Sequence, residues 1–197
     1  MKRQVIERTL SKNDSNEEHE NFKTIFDGTS LHGWKMCGPG RFDLIDNLII
    51  SNGGMGLLWY TKKKFRDFIL RVYWKTRAKA DNSGIFVRFD NPDDDPWIAV
   101  NSGYEIQIHD EEPQDGDATH RTGAIYNFAP PSRYVSNEPG EWNIFEICVI
   151  GQNYAIILND TRITEFTGNR QLEGFIGLQN HDANSRVAFG KIAVKEL

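Results

Sequence analysis

Glu105, Gln107 and His109 stand at two-residue spacing in the run Gly103-Tyr104-Glu105-Ile106-Gln107-Ile108-His109-Asp110. Side chains along a strand alternate between faces. A carboxyl, an amide and an imidazole therefore share one face, and Tyr104, Ile106 and Ile108 share the other. Such a strand suits the floor of a groove for a polar ligand, where a carboxyl or imidazole moves protons and an amide holds a hydroxyl. Two further runs carry polar groups on one face. In Ile85-Phe86-Val87-Arg88-Phe89-Asp90, alternation groups Arg88 and Asp90 with Phe86, opposite Ile85, Val87 and Phe89. In Phe175-Ile176-Gly177-Leu178-Gln179-Asn180-His181, Gln179 and His181 oppose Ile176 and Leu178. If the three strands are neighbours in one sheet, Arg88, Glu105, Gln107, His109, Gln179 and His181 converge.

The elements that must position these groups are short. From Phe22 onward, β-rich runs are separated by Gly, Asn, Asp and Pro. The pattern predicts strands over Phe42 to Asp46, Leu48 to Ser51, Gly56 to Tyr60, Phe68 to Thr76, Gly84 to Phe89 and Tyr104 to His109. It predicts others over Ala124 to Asn127, Asn143 to Ile150, Tyr154 to Leu158, Phe175 to Gln179 and Val187 to Lys195. No long segment keeps the period of an amphipathic helix, and many strands with turn residues between them indicate an all-β sandwich or barrel. Asp46-Asn47 and Gly151-Gln152-Asn153 fit hairpin turns, because Gly and Asn accept positive φ. The longest irregular stretches, Asp110 to Thr122 and Ala129 to Gly140, are of the length that frames a site in a compact β domain. Residues 1–20 form a short polar N-terminal tail with little to bury, which leaves residues 21–197 as the folded domain.

Bulk properties exclude several classes. The 197 residues are 39% hydrophobic and 26% charged, as expected of a soluble globular domain. A formal charge of -5 gives no footprint for nucleic acid, and Lys62-Lys63-Lys64 is an isolated basic run suited to a solvated turn. Asp93-Asp94-Asp95 lacks the alternating ligands of a calcium loop and is expected to be solvated too. The two cysteines, Cys37 and Cys148, are too few for a disulfide scaffold and are expected as separate thiols. Charges in Met1 to Arg8 occupy the place where a signal peptide needs an apolar stretch, and no run approaches the roughly 20 apolar residues of a membrane span. A cytoplasmic protein without a membrane partner is the expectation.

An ordered set of motifs carries a resemblance. Phe26-Asp27-Gly28-Thr29-Ser30-Leu31-His32-Gly33-Trp34 resembles the opening signature of the 3-keto-disaccharide hydrolase domain family. Asn82 to Arg88, Gly103 to Ile108, Thr122 to Tyr126, Gly140 to Asn143, Gly174 to His181 and Phe189 to Leu197 follow in the family's order. The resemblance covers Phe22 to Leu197. It implies a concanavalin A-like jelly roll of two packed antiparallel sheets, with a sugar site on the concave one. It also implies cleavage of glycosides already oxidised to a ketone at sugar C3.

That chemistry asks for a base at C2, an electrophile at the enolate oxygen and an acid at the leaving oxygen. Candidates for the base are His109, His181 and Glu105, since a useful base titrates near working pH. Arg88 is the candidate for holding the enolate, and a divalent metal on Glu105 with His109 or His181 is the alternative. Gln107, Gln179, Trp97 and Tyr126 are candidates for holding the sugar, Trp97 by stacking in a polar loop. Each has a plainer rival: a Glu105–Arg88 ion pair across strands, an ordinary loop role for His181, and a surface position for His120. Retaining jelly-roll glucanases place two carboxyls about 5 Å apart from one strand. Here the matching positions are Gln107 and His109, so that mechanism does not suit this strand. The remaining readings are cleavage of a 3-keto-glycoside, by hydrolysis or by elimination with rehydration, a lectin-like binding module without catalysis, and an interaction domain whose groove receives no sugar. The oligomeric state is not legible.

Overall fold

A computed structural model describes residues 21–197. The polar tail expected over residues 1–20 lies outside the described residues. The strands are β1 (Lys23–Phe26), β2 (Trp34–Cys37), β3 (Arg41–Ile45), β4 (Leu48–Asn52), β5 (Gly56–Tyr60), β6 (Phe68–Thr76) and β7 (Ser83–Phe89). A short helix α1 (Trp97–Ser102) precedes β8 (Tyr104–Ile108), and β9 (Asn143–Ile150), β10 (Asn153–Leu158), β11 (Thr161–Thr167), β12 (Phe175–Asn180) and β13 (Val187–Glu196) complete the chain.

The strands pair antiparallel in two sheets. The small sheet runs β2-β5-β12-β7-β8, and the large sheet runs β11-β10-β9-β6-β13-β4-β3 with β1 beside β13. The fold is thus the jelly-roll sandwich expected. Apolar residues at alternate positions of both sheets meet between them, including Leu70, Val72 and Trp74 of β6, Ile85 and Val87 of β7, and Tyr104, Ile106 and Ile108 of β8. Burial of these side chains, at roughly 1.5–3 kcal/mol each, is what fixes the register. The Asp46-Asn47 turn has φ of 49° and 64°, as a two-residue turn with both central residues left-handed requires. Cys37 and Cys148 are free, buried thiols in separate clusters.

Three local expectations change. The strand expected over Ala124 to Asn127 is reduced to bridges: Ile125 pairs with Ile106 and with Ala129. The left-handed φ of 84° at Gly123 and 63° at Asn127 folds the segment into a tight turn docked on β8. Strands β1, β2 and β11 extend the sheets beyond the predicted set. In β11, threonine and charge suit an edge position in the large sheet. The third change concerns Arg88. Phe175 pairs with Phe89 and Ile176 with Val87, so Arg88 is a bulge residue, with φ of 54°. An extra residue shifts alternation by one step. Phe86 and Phe89 therefore share the outer face beneath α1, and Arg88 turns away from Glu105.

Candidate active site

The site is built on the outer face of the small sheet. Register pairs Gly84 with Gln107 and Phe86 with Glu105, and Leu178 with Ile85, which sets Gln179 beside Gly84. One half of this face is apolar, where Leu57, Trp59, Phe86 and Phe89 are covered by Ala99 of α1. The other half is polar and carries Glu105, Gln107 and Gln179. The polar half is not open surface, as β8 alone suggests. Glu105 is 7% exposed and Gln107 2%, because the docked turn lies against them: Gln107 N–H donates to Ala124 O, and Tyr126 N–H donates to Glu105 O.

The Glu105 carboxyl lies over Gly84, close to the position a Cβ would take. The Gln107 amide nitrogen, turned to suit its surroundings, donates to Ser83 O at 3.0 Å and to Glu105 Oε1 at 3.1 Å. Among the described residues no cation faces the carboxyl to compensate its burial. Desolvation pushes its pKa up to about 8, because water no longer stabilises the charged form. Burial also raises the Tyr126 phenol, with the negative charges of Glu105, Asp115 and Asp117 adding to it. The buried Gln179 Oε1 has no hydrogen-bond partner among the described residues. A buried acceptor left bare costs about 1–3 kcal/mol.

A cleft of about 380 Å³ opens beyond this strip, lined in part by Asn82, Gln107, His109, His120 and Tyr126. Two loop devices shape it. Asp81, itself buried, accepts from Arg77 N, Ala78 N and Arg186 N, which tightens the turn before β7. Its carbonyl then meets His109 Nδ1 at 3.4 Å. A carbonyl only accepts, so Nδ1 carries the proton and Nε2 is the acceptor nitrogen of the neutral ring. On the other side, Asp117 caps the short 3-10 turn Ala118–His120 by accepting from Thr119 N. That turn delivers His120 onto Tyr126, ring on ring, with centroids 4.6 Å apart. His120 Nε2 lies 2.8 Å from Asn127 Oδ1.

The predicted residues thus divide. Glu105, Gln107 and Gln179 share one face, and His109 and Tyr126 border the adjoining cleft. Arg88 is elsewhere: fully buried, it donates to the carbonyls of Arg66 and Gly151 and pairs with Asp67 Oδ1 at 2.9 Å. Neither the enolate-holding role nor the Glu105–Arg88 pair fits that position. His181 is exposed and bonded to Asp182 Oδ2 at 2.9 Å. Trp97 stands 58% exposed at the start of α1 and does not border the cleft. His120, expected at the surface, is part of the site. The length of the Asp110 to Thr122 loop was its only trace in the sequence. Among the described residues no three His, Cys, Asp or Glu side chains gather as metal ligands. No helix is long and apolar enough to cross a membrane among those residues.

A family model described as the 3-keto-alpha-glucoside-1,2-lyase-like domain matches residues 21–195. The chain belongs to this family. A 3-keto-disaccharide hydrolase of Bacteroides thetaiotaomicron is 25% identical, over 90% of this chain and 79% of that protein. A candidate glycosyl hydrolase from Parabacteroides distasonis superposes with a TM-score of 0.76 at 25% identity, covering 90% of this chain and all (100%) of that one. A carbohydrate-binding module of Bacillus subtilis, CBM66, superposes with a TM-score of 0.62 at 14% identity, over 83% of this chain and 96% of the module. At that identity the likeness is one of fold. In this 3-keto-alpha-glucoside-1,2-lyase-like domain, Glu105 on β8 has Gln107 beside it on the same face and no second carboxyl on that strand.

Proposed function

We propose that this protein cleaves glycosides whose sugar carries a ketone at C3, by elimination across C1 and C2 followed by rehydration. The observation that carries the reading is Glu105: a lone carboxyl, buried beside an amide, whose pKa of about 8 keeps it mostly protonated at neutral pH. In that state it is a hydrogen-bond donor held in a dry site, where such donors act most strongly on developing negative charge. The family match and the hydrolase relative support a keto sugar as substrate.

The reaction divides among the residues as follows. The C3 ketone makes the C2 hydrogen acidic, and His109 Nε2 removes it. The electron pair moves into the C2–C3 bond, and the enolate oxygen accepts a hydrogen bond from Glu105. As the ketone re-forms, the C1–O bond breaks, a C1–C2 double bond appears, and the Tyr126 phenol protonates the departing oxygen. Water then adds at C1 and a proton returns to C2, giving the free 3-keto sugar. Gln107 and Gln179 hold the sugar hydroxyls, and His120 fixes the Tyr126 ring by stacking.

Incubation with 3-keto-trehalose tests this directly. Release of glucose with 3-keto-glucose or its C1–C2 unsaturated precursor is expected, and Glu105→Leu, which removes the donor, is expected to lower kcat/KM by about 10²–10³-fold. Binding of the sugar without turnover would instead make the protein a lectin-like module.

A further inference from the structure

The opposite face of the sandwich carries a second cleft that the elimination chemistry does not use. It has a volume of about 610 Å³ and lies on the outer side of the large sheet, where Tyr73, Trp142, Asn137, Asp27, Asp160 and Lys191 border it. That volume is within the range of small-molecule sites, about 300–1,000 Å³.

Its centre is an aromatic floor. Trp142, at the end of the long loop before β9, is 39% exposed. Its position is nevertheless fixed. Asn137 Nδ2 donates to its carbonyl at 2.8 Å, and Lys75 Nζ sits 4.8 Å from the ring centroid. The far edge of the indole rests on Gly190, where a Cβ would come within 3.2 Å of two ring atoms and 3.4 Å of Tyr73 Cβ. Gly190 lies in the bulge of β13 between Phe189 and Ile192, so the absent side chain and the displaced backbone together make room for the indole beside Tyr73. Lys75 does not border the cleft. Its ammonium lies over the ring, and Trp142 itself borders the cleft.

The rim is built of short polar groups. Asp27 Oδ1 accepts from Thr29 N and Oγ1, which leaves Oδ2 for a ligand. Asp160 projects from the two-residue turn between β10 and β11, at φ of 63°. Asn47 occupies the equivalent position of the β3–β4 turn and also borders the cleft. Two carboxylates, amides and one ammonium around an aromatic floor match a ligand with an apolar face and hydroxyls at its edge. A pyranose ring has that shape: axial C–H groups on one face and equatorial hydroxyls around it. An anion would meet Asp27 and Asp160, and a purely apolar ligand would strand the rim.

We infer that the Trp142–Tyr73 cleft binds a neutral hexopyranose unit, independently of the Glu105 groove. Titration of the full chain with maltose, cellobiose and methyl α-D-glucopyranoside tests it, followed by saturation-transfer NMR and tryptophan fluorescence. None of these probes carries the C3 ketone, so none is a substrate for the proposed elimination. At least one is expected to bind and to change the tryptophan emission. Trp142→Ala is expected to weaken that binding at least tenfold. Tyr73→Ala, checked by circular dichroism for folding, is expected to weaken it in the same direction, and Glu105→Gln is expected to leave it unchanged. Absence of binding by all three sugars, binding that survives both aromatic substitutions, or binding abolished by Glu105→Gln would each overturn the inference. None of those results bears on turnover of keto sugars.

Discussion

The Glu105 carboxyl rests on Gly84 of the neighbouring strand: a Cβ at position 84 would collide with Oε1 and stand 2.7 Å from Cγ and Cδ. The pair defines the floor of the site, since a glycine on β7 lets an acid on β8 lie down across the sheet instead of pointing out of it. Gly84→Ala therefore evicts the carboxyl from its dry position. A loss of about 10²-fold or more in kcat/KM is expected, together with an overpacking cost of about 1–3 kcal/mol. Steady-state kinetics and thermal melts on the same preparation separate the two. Full activity in Gly84→Ala would show that the placement of Glu105 is not critical.

The same burial makes stability depend on pH. Folding raises the Glu105 pKa from 4.5 to about 8, so the folded state holds a proton that the unfolded state releases. The stability present below pH 4.5 is then progressively lost as the pH rises to about 8, at about 1.4 kcal/mol for each pH unit crossed. Glu105→Gln removes the titration. Denaturant unfolding across this window is expected to show the variant increasingly more stable than the parent, by on the order of a few kcal/mol above about pH 8. Parallel pH profiles for the two proteins would contradict a buried, titrating Glu105.

Arg88 is expected to act on stability, not on chemistry. Its guanidinium joins Arg66, Asp67 and Gly151 across one end of the sandwich. Arg88→Met removes the cation paired with Asp67, whose Oδ1 keeps only the Gly151 N–H, and takes a donor from the carbonyls of Arg66 and Gly151. A destabilisation of about 3–5 kcal/mol is expected in chemical unfolding, with kcat/KM per folded molecule preserved. A large activity loss without destabilisation would return Arg88 to the reaction.

Two histidines separate by the same logic. His109→Gln removes the base and is expected to lower turnover of a 3-keto-glycoside by about 10²–10⁴-fold. His181→Ala removes an exposed ring tied to Asp182, and turnover is expected to stay at the parental level. The reverse pattern would exchange their roles.

The sequence made the sandwich and the polar face of β8 legible because both depend on two-residue alternation. Ile106 and Ile108 are fully buried against the core, and Glu105 and Gln107 lie opposite. Alternation fails where a strand gains a residue. The bulge at Arg88 follows from its pairing with β12 and leaves no local mark, so a fully buried structural arginine resembled an active-site cation. The Asn159-Asp160 turn, with φ of 48° and 63°, has the same chemistry as Asp46-Asn47 and would have identified β11. The stack of His120 on Tyr126 was out of reach, since it depends on how a capped 3-10 turn closes over a loop. The short helix α1, only six residues long, lacks the turns needed for a periodic pattern.

The central claim is that a proton leaves sugar C2 before the C1–O bond breaks. Turnover of 3-keto-trehalose in deuterated water, with NMR detection of the 3-keto-glucose formed, tests it most directly. Elimination and rehydration deliver a solvent proton to C2, so deuterium is expected at that carbon, at a rate no slower than glycoside cleavage. Glucose release with the original hydrogen retained at C2 would mean direct hydrolysis at C1, and would contradict the mechanism proposed for Glu105, His109 and Tyr126.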